Sequence, residues 1–450
     1  MKNIIILLVL TNTFLSCYKT STMENIIVIG GGLIGSSTAW ELSKYGEEVL
    51  LIEQQDSVYT FGSSFGEARI SRSLGPKNDI FSYLQQTSVR ETQDLVDYLN
   101  KDSKLQIHQM EDIYTTSPVT YIYDKAQLNQ VKNILNGQTD KYEYAPNSKK
   151  AYEFFGMNIQ DSTMVIREYK KYSGTLNPKV LISKLHDGII KKGNRINYNE
   201  KVTDLKKVNG LYEIEVTNSK TGKIKKLFSK KVVASAGPFN GNLVKGIAPY
   251  FESLISPKRL FLAFFKIKSS TYKKLNKEQI NRFREFYPIA YMDSETFYSM
   301  IEKYDDHGIP IIKVGGHFLR TEIKDLSSVW QKELSMQEIK WSKENTINYL
   351  RSLNLPITEN DLEFYSGYSC VYSMTKTEIP YVTNILNDSK IDQSFVLAGG
   401  MSGIGAKGSL TYGLIAANLL LNKKDTSPMY NRTLKELGSD RLSKDVLEFN

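Results

Sequence analysis

The chain is 450 residues long, 41% hydrophobic and 11% aromatic, which is enough for a large buried core spread over two or three domains and does not fit a disordered protein. A formal charge of +9 would suit an acidic partner, but the Lys and Arg are scattered among nearly as many Asp and Glu; the densest basic stretch, Ser219 to Lys231, alternates with apolar residues like the solvated face of a hairpin and argues against a nucleic-acid partner. His108, His186, His307 and His317 are the whole histidine supply, and no two sit at metal-ligand spacing, so a zinc site or a serine–histidine triad is not expected.

Residues 1–22 have a basic start at Lys2, continue with an apolar run from Ile4 to Leu10, and end in small polar residues around Cys17. That is the layout of a secretory or lipoprotein leader, too short to span a bilayer; with Met23 as the true start the protein would instead be cytoplasmic. If the leader is cut, Cys370 has no disulfide partner. Asn25 to Ile29 then reads as a buried parallel strand, Gly35 to Lys44 as a helix and Glu48 to Ile52 as a second strand. Within this βαβ unit Gly30, Gly32 and Gly35 form G-x-G-x-x-G, a turn that brings backbone N–H groups and a helix start to a diphosphate. Glu53 closes the second strand, where a carboxylate accepts hydrogen bonds from ribose hydroxyls.

Further on, "KVTDLKKV", "LYEIEVT" and "KIKKLFS" read as a small antiparallel meander, followed by a buried strand "KKVVASAG" ending at Gly237, which is expected to border the cofactor. "SFVLAGGMSGIGAKGSLTYGLIAANLLL" reads as strand, glycine loop and helix; Lys407 and the glycines at 399, 400, 403, 405, 408 and 413 exclude a transmembrane helix there. Runs such as "KRLFLAFFKIK" and "IPIIKVGGHF" belong to a separate sheet. The expected fold class is α/β: a discontinuous Rossmann-like dinucleotide-binding domain over 23–100, 166–254 and 370–425, and a mostly antiparallel substrate domain over 101–165 and 255–369. The tail at 426–450 is charged and uninformative.

Five separated stretches carry a resemblance that covers Glu24 to Leu421: the Gly30 fingerprint with Glu53, "GSSFGEARISR" (Gly62 to Arg72), "IIKVGGH" (Ile311 to His317), "SCVYSMT" (Ser369 to Thr375) and "GMSGIGAKGS" (Gly400 to Ser409). In this order they resemble the monomeric sarcosine oxidase family of FAD-dependent amine oxidases, within the D-amino acid oxidase superfamily. The resemblance implies FAD as cofactor, a small secondary amine and oxygen as reactants, and a monomer. It further implies that Cys370 anchors the flavin through a thioether, which needs a thiolate and basic neighbours. By the same resemblance Lys313 activates oxygen, Arg69 lies over one flavin face, and His317 and Tyr372 line the substrate cavity. Arg72 and Lys407 would clamp a substrate carboxylate, and the loop through Gly403 and Gly405 would face the flavin's pyrimidine edge.

Two departures bear on substrate. Phe65 stands where small-amine members carry a histidine, and the segment "FYSMIEKYDDHGIP" before Lys313 is longer than usual, which complicates carrying a cavity tyrosine over to Tyr298. Three other readings stay open. A dehydrogenase passing electrons to quinone at a membrane has no need of Lys313; a nicotinamide-dependent reductase would leave Cys370 idle; a non-catalytic flavin-binding module would not explain Arg72, Lys313 and Lys407 together.

Overall fold

A computed structural model describes residues 22–75, 78–101, 105–326, 333–387 and 390–448. The leader-like segment lies outside these residues as far as residue 21, and Thr22 and Met23 open the first strand.

That strand, Thr22–Ile29, is apolar from Ile26 to Ile29, where it is covered on both faces. It pairs in parallel with Val49–Ile52 on one side and with Ile224–Ala234 on the other. Arg195–Asn197 and Lys390–Gly399 extend the parallel sheet outward. Alternation along each strand sorts the side chains. Ile26, Val28, Val49, Leu51 and Val233 meet the helices Leu33–Lys44, Pro178–Lys191 and Ser409–Leu420. Ile27, Ile29, Leu50, Ile52 and Val232 meet the other layer, with Tyr212, Val244 and Phe251. The expected meander is present as Glu200–Val208 and Leu211–Asn218, but its third strand and the following buried strand are one continuous element, Ile224–Ala234. Its first half pairs with the meander and its second half with Lys390–Gly399, so no break was needed between "KIKKLFS" and "KKVVASAG".

The second sheet has eight strands, all antiparallel neighbours except for one parallel pair, Ile289–Tyr291 with Val119–Asp124. One end of it runs in the spatial order Leu362–Met374, Ser256–Ile267, Pro310–Gly315, Phe297–Tyr304. Two expected boundaries cut through its strands: 165/166 falls inside Thr163–Glu168, and 369/370 inside Leu362–Met374. Cys370 therefore belongs to the second sheet, not to the dinucleotide part, because the thirteen-residue strand stays hydrogen-bonded to Ser256–Ile267 throughout. A small three-stranded sheet holds Arg69–Ser71 against Gly174–Leu176 and Tyr114–Thr116. The charged tail forms two helices, Pro428–Leu437 and Ser439–Leu447, which bury Tyr430, Leu437 and Leu442. No helix among the described residues is long and apolar enough to cross a membrane.

Candidate active site

At the end of the first strand the backbone turns at Gly30, whose φ of +95° favours glycine. A Cβ there would lie 2.6 Å from the Ser235 carbonyl oxygen, and one at Gly35 would lie 1.8 Å from the Gly30 carbonyl oxygen. Strand and helix are thus pressed together with no room for a side chain. Gly32 caps the helix with no side chain of its own, and the first turn holds no acidic residue, so no carboxylate of the helix offsets the positive end of its dipole. Glu53 is 4% exposed, with Oε2 accepting the Gly31 N–H at 2.7 Å and Oε1 that of Gln55 at 2.8 Å. Burial raises its pKa. Behind the turn the Ser36 hydroxyl donates to the Gly31 carbonyl at 2.7 Å and sits 2.8 Å from His186 Nε2, while Tyr198 lies 2.8 Å from Nδ1. Burial pushes the His186 imidazole down to about 4, so it is neutral near pH 7.

Adjacent serines join this turn to the second sheet. Ser64 Oγ accepts the N–H of Leu33 at 3.1 Å, and Ser63 Oγ donates to the Val371 carbonyl at 2.6 Å. The carboxy-terminal glycine loop reaches the same strand, through Ser402 N–H to Ser373 O at 2.8 Å and Thr375 N–H to Ser402 Oγ at 3.1 Å. Tyr368, Cys370 and Tyr372 alternate onto one face of that strand. Their cross-strand partners put Tyr298 and Lys313 on the same face. Glycines make room for the rings: a Cβ on Gly315 would meet Tyr298 at 2.3 Å, and one on Gly403 would meet Tyr372 at 2.5 Å. Burial raises both phenol pKa values, and each ring lies within the electrostatic reach of Cys370. His317 lies edge-on to Tyr372 at 6.5 Å; burial and Arg320 push it down to about 4.

Lys313 is 2% exposed. Its ammonium donates to the Ala68 carbonyl at 2.5 Å and to Glu302 Oε2 at 2.8 Å. Burial, reinforced by Arg69, pushes its pKa down to about 8, against the pull of Glu302 and Cys370. Arg69 also donates to Ala68 O, at 2.8 Å, and to the Phe65 carbonyl. Cys370 has the expected basic neighbours, Arg69, Lys313 and Arg259, but burial outweighs them and raises the thiol's pKa. The easily formed thiolate read from the motif is therefore corrected: before any partner arrives, desolvation wins. The Phe65 ring packs on Tyr368 at 5.3 Å.

Lys407 and Arg72 form a second group. Lys407 is 5% exposed and its ammonium has no hydrogen-bond partner among the described residues; it stands 4.4 Å from the centre of the Phe81 ring. Burial first, and then the charge of Arg72, hold its pKa well below the ordinary lysine value. Arg72 stands 5.3 Å over the Tyr121 ring and donates to Leu74 O at 3.3 Å. Glu168 is also close, but its oxygens are taken by the Ser73 N–H at 2.8 Å, the Ser73 hydroxyl at 2.6 Å and the Tyr121 hydroxyl at 2.8 Å. The arrangement is a buried amine and a half-buried guanidinium with one fully engaged carboxylate.

The sequence profile of the family described as FAD dependent oxidoreductase matches residues 25–419. The chain belongs to that family. The oxidoreductase is 24% identical over 407 residues to a probable sarcosine oxidase of Arabidopsis thaliana, covering 90% of this chain and 89% of that one. To the monomeric sarcosine oxidase of Bacillus sp. (strain NS-129) it is 22% identical over 430 residues, 95% of this chain and 100% of that one. The solved structure of NikD, an unusual amino acid oxidase essential for nikkomycin biosynthesis, superposes with a TM-score of 0.67 at 15% identity, covering 93% of this chain and 98% of that one. These likenesses support a sarcosine-oxidase-like member of the superfamily.

FAD fits the oxidoreductase on the chain's own terms: a glycine turn too tight for any Cβ, a helix start with no acidic cap, Glu53 at the strand end, and the buried Cys370 face joined to both by Ser63 and Ser64. Gly237, in left-handed backbone at φ +59°, sits where the neighbouring parallel strand ends, held through the Ala236 N–H to Asn240 Oδ1 at 2.8 Å. Gly405 precedes the short turn that presents Lys407. Sequence reasoning missed Glu302, the partner of Lys313; Phe81 beneath Lys407; and the Glu168, Ser73 and Tyr121 group that buttresses Arg72. No motif marks them. The extra length before Lys313 was the one available signal, for Glu302.

Proposed function

We propose that the oxidoreductase converts a secondary amino acid, N-methyl or cyclic, to an imine that hydrolyses in water, with oxygen taking two electrons and two protons to become hydrogen peroxide. The observation that carries this reading is the buried ammonium of Lys407, without a hydrogen-bond partner among the described residues, beside Arg72. A desolvated ammonium beside a half-buried guanidinium, with no free counter-ion among the described residues, is costly, and a substrate carboxylate offsets that cost. An arriving carboxylate also favours the charged form of Lys407, so binding is accompanied by proton uptake when that amine is neutral. Tyr298 and Tyr372 remain protonated and His317 neutral near pH 7, so they orient the amine and close the site to water without adding charge. FAD, when bound, supplies the hydride acceptor and carries the electrons on to oxygen. Lys313 offers a fixed positive charge where oxygen gains negative charge. Cys370 is the proposed attachment point of the flavin.

The test is a panel of N-methyl, cyclic and glycated amino acids with peroxide readout, each run beside the same amine lacking its carboxylate. Acids should turn over and their carboxylate-free analogues should not; equal kcat/KM for both would refute the clamp. Lys407→Met should raise KM roughly ten- to a hundredfold, the worth of one charge-assisted hydrogen bond. Yellow colour retained in an acid-precipitated pellet would support the Cys370 attachment, and a colourless pellet would remove it.

A further inference from the structure

The strand Phe297–Tyr304 and its neighbour Pro310–Gly315 pair regularly through Met300 with Lys313 and Ile301 with Ile312, and then Lys303 pairs with Ile311. One residue, Glu302, is extra: it sits in a β-bulge, the device that re-aims a side chain out of the regular alternation. Re-aimed, its carboxylate is 6% exposed and meets two groups. Oε2 accepts from Lys313 Nζ at 2.8 Å, and Oε1 accepts the N–H of Glu67 at 2.7 Å. Lys313 Nζ is held at the same time by the carbonyl of Ala68, which directly precedes Arg69. Glu302 thus joins the lysine strand to the "GEAR" segment.

We infer that Glu302 is the positioning residue of the oxygen site: the bulge delivers it to hold Lys313 protonated and fixed against Ala68. The inference rests on the proposed role of Lys313. Its physical basis is the charge balance around the ammonium. Arg69 faces Lys313 and, with burial, favours loss of its proton; Glu302 and the Cys370 side chain oppose that, and Glu302 is the one of the two that hydrogen-bonds it. Burial alone would favour a neutral Glu302, but Lys313, the Glu67 N–H and Arg69 together hold its carboxyl below the ordinary range, so it stays an anion. Without it a buried lysine beside an arginine would sit neutral at working pH.

Two measurements on the full-length flavoprotein test this. In the first, lysines labelled at 13Cε are titrated by NMR, with the Lys313 resonance assigned by its loss in Lys313→Met. In the second, the pH dependence of reoxidation in air is followed after anaerobic reduction. Glu302→Gln, which keeps shape and the acceptor for Glu67, should move both the Lys313 titration and the high-pH fall in reoxidation to lower pH, by roughly one to three units. Glu302→Asp should keep the wild-type midpoint at a reduced rate. A Glu302→Gln profile that is lower by the same factor at every pH, or an unmoved Lys313 titration, would overturn the inference. If Lys313→Met reoxidises at the wild-type rate, the oxygen role of Lys313 fails and takes this one with it, a result different from either Glu302 outcome.

Discussion

At the amino-terminal glycine turn the working groups are backbone atoms of a single βαβ unit, whereas at the Lys313 end they are side chains drawn from segments scattered between Ser63 and Lys407. The first end is held by proximity: Gly30 and Gly35 touch backbone, and nothing there can yield. The second is held by sheet register, since Tyr298, Lys313, Cys370 and Tyr372 share a face only because the strands stay aligned. A cradle built of backbone tolerates no added atom, while a site built of side chains can lose one function and keep its shape.

Substitutions should separate the two ends. The largest effect is expected for Gly35→Ala, whose Cβ would stand 1.8 Å from the Gly30 carbonyl. The protein should purify without flavin or not at all, read from the ratio of flavin to protein absorbance; a yellow variant of unchanged Tm would break the comparison. Next comes Lys313→Met, expected to slow reoxidation in air roughly a hundred- to thousandfold, the usual cost of removing one preorganised charge or donor. Anaerobic reduction should slow far less, and equal slowing of both half-reactions would contradict the assigned role. In the wild type the ammonium is charged below about 8 and neutral above it, so reoxidation should fall as pH rises through that value. A rate that climbs through the same range would reverse the sign and exclude Lys313 as the charge.

Gly403→Ala should act more weakly, because the added Cβ meets the ring of Tyr372 rather than backbone, though at a φ of +81°. We expect flavin content near normal, a drop of about 1–3 kcal/mol in stability, and lower kcat/KM for amino acids as Tyr372 shifts. Gly237→Ala is the smallest: its φ of +59° is strained for a side chain, but the space around it is open. About 1 kcal/mol of stability should be lost with kinetics unchanged, as thermal unfolding and steady-state assays would show. A larger kinetic effect there would mean that the Gly237 backbone touches the cofactor.

Much of this was legible in the chain because the physics was local. Alternating and continuous apolar runs marked the strands, and three glycines at fixed spacing marked the turn, since only a missing Cβ permits that approach. The flanking motifs named Arg69, Arg72, Lys313, Cys370 and Lys407, and the fold gathers them on two adjoining surfaces. What was misread depended on length and partners. The strand Ile224–Ala234 reads as two pieces because its exposed half is basic and its buried half apolar, although one hydrogen-bonded element serves two neighbours. The tail after Asn422 reads as solvated charge because the sockets for Tyr430, Leu437 and Leu442 lie elsewhere in the chain.

The order of amino acids by itself determined the glycine turn, the layered α/β plan and the identity of the cations, because each rests on neighbours in the chain. Tertiary structure alone decided how those groups are charged. Burial raises the Cys370 thiol despite its basic neighbours, leaves Lys407 without a hydrogen-bond partner among the described residues, and leaves Lys313 dependent on a carboxylate that one extra residue in a strand turns toward it. The reason is that desolvation and Coulomb attraction act through space, at distances fixed only once the sheets are paired.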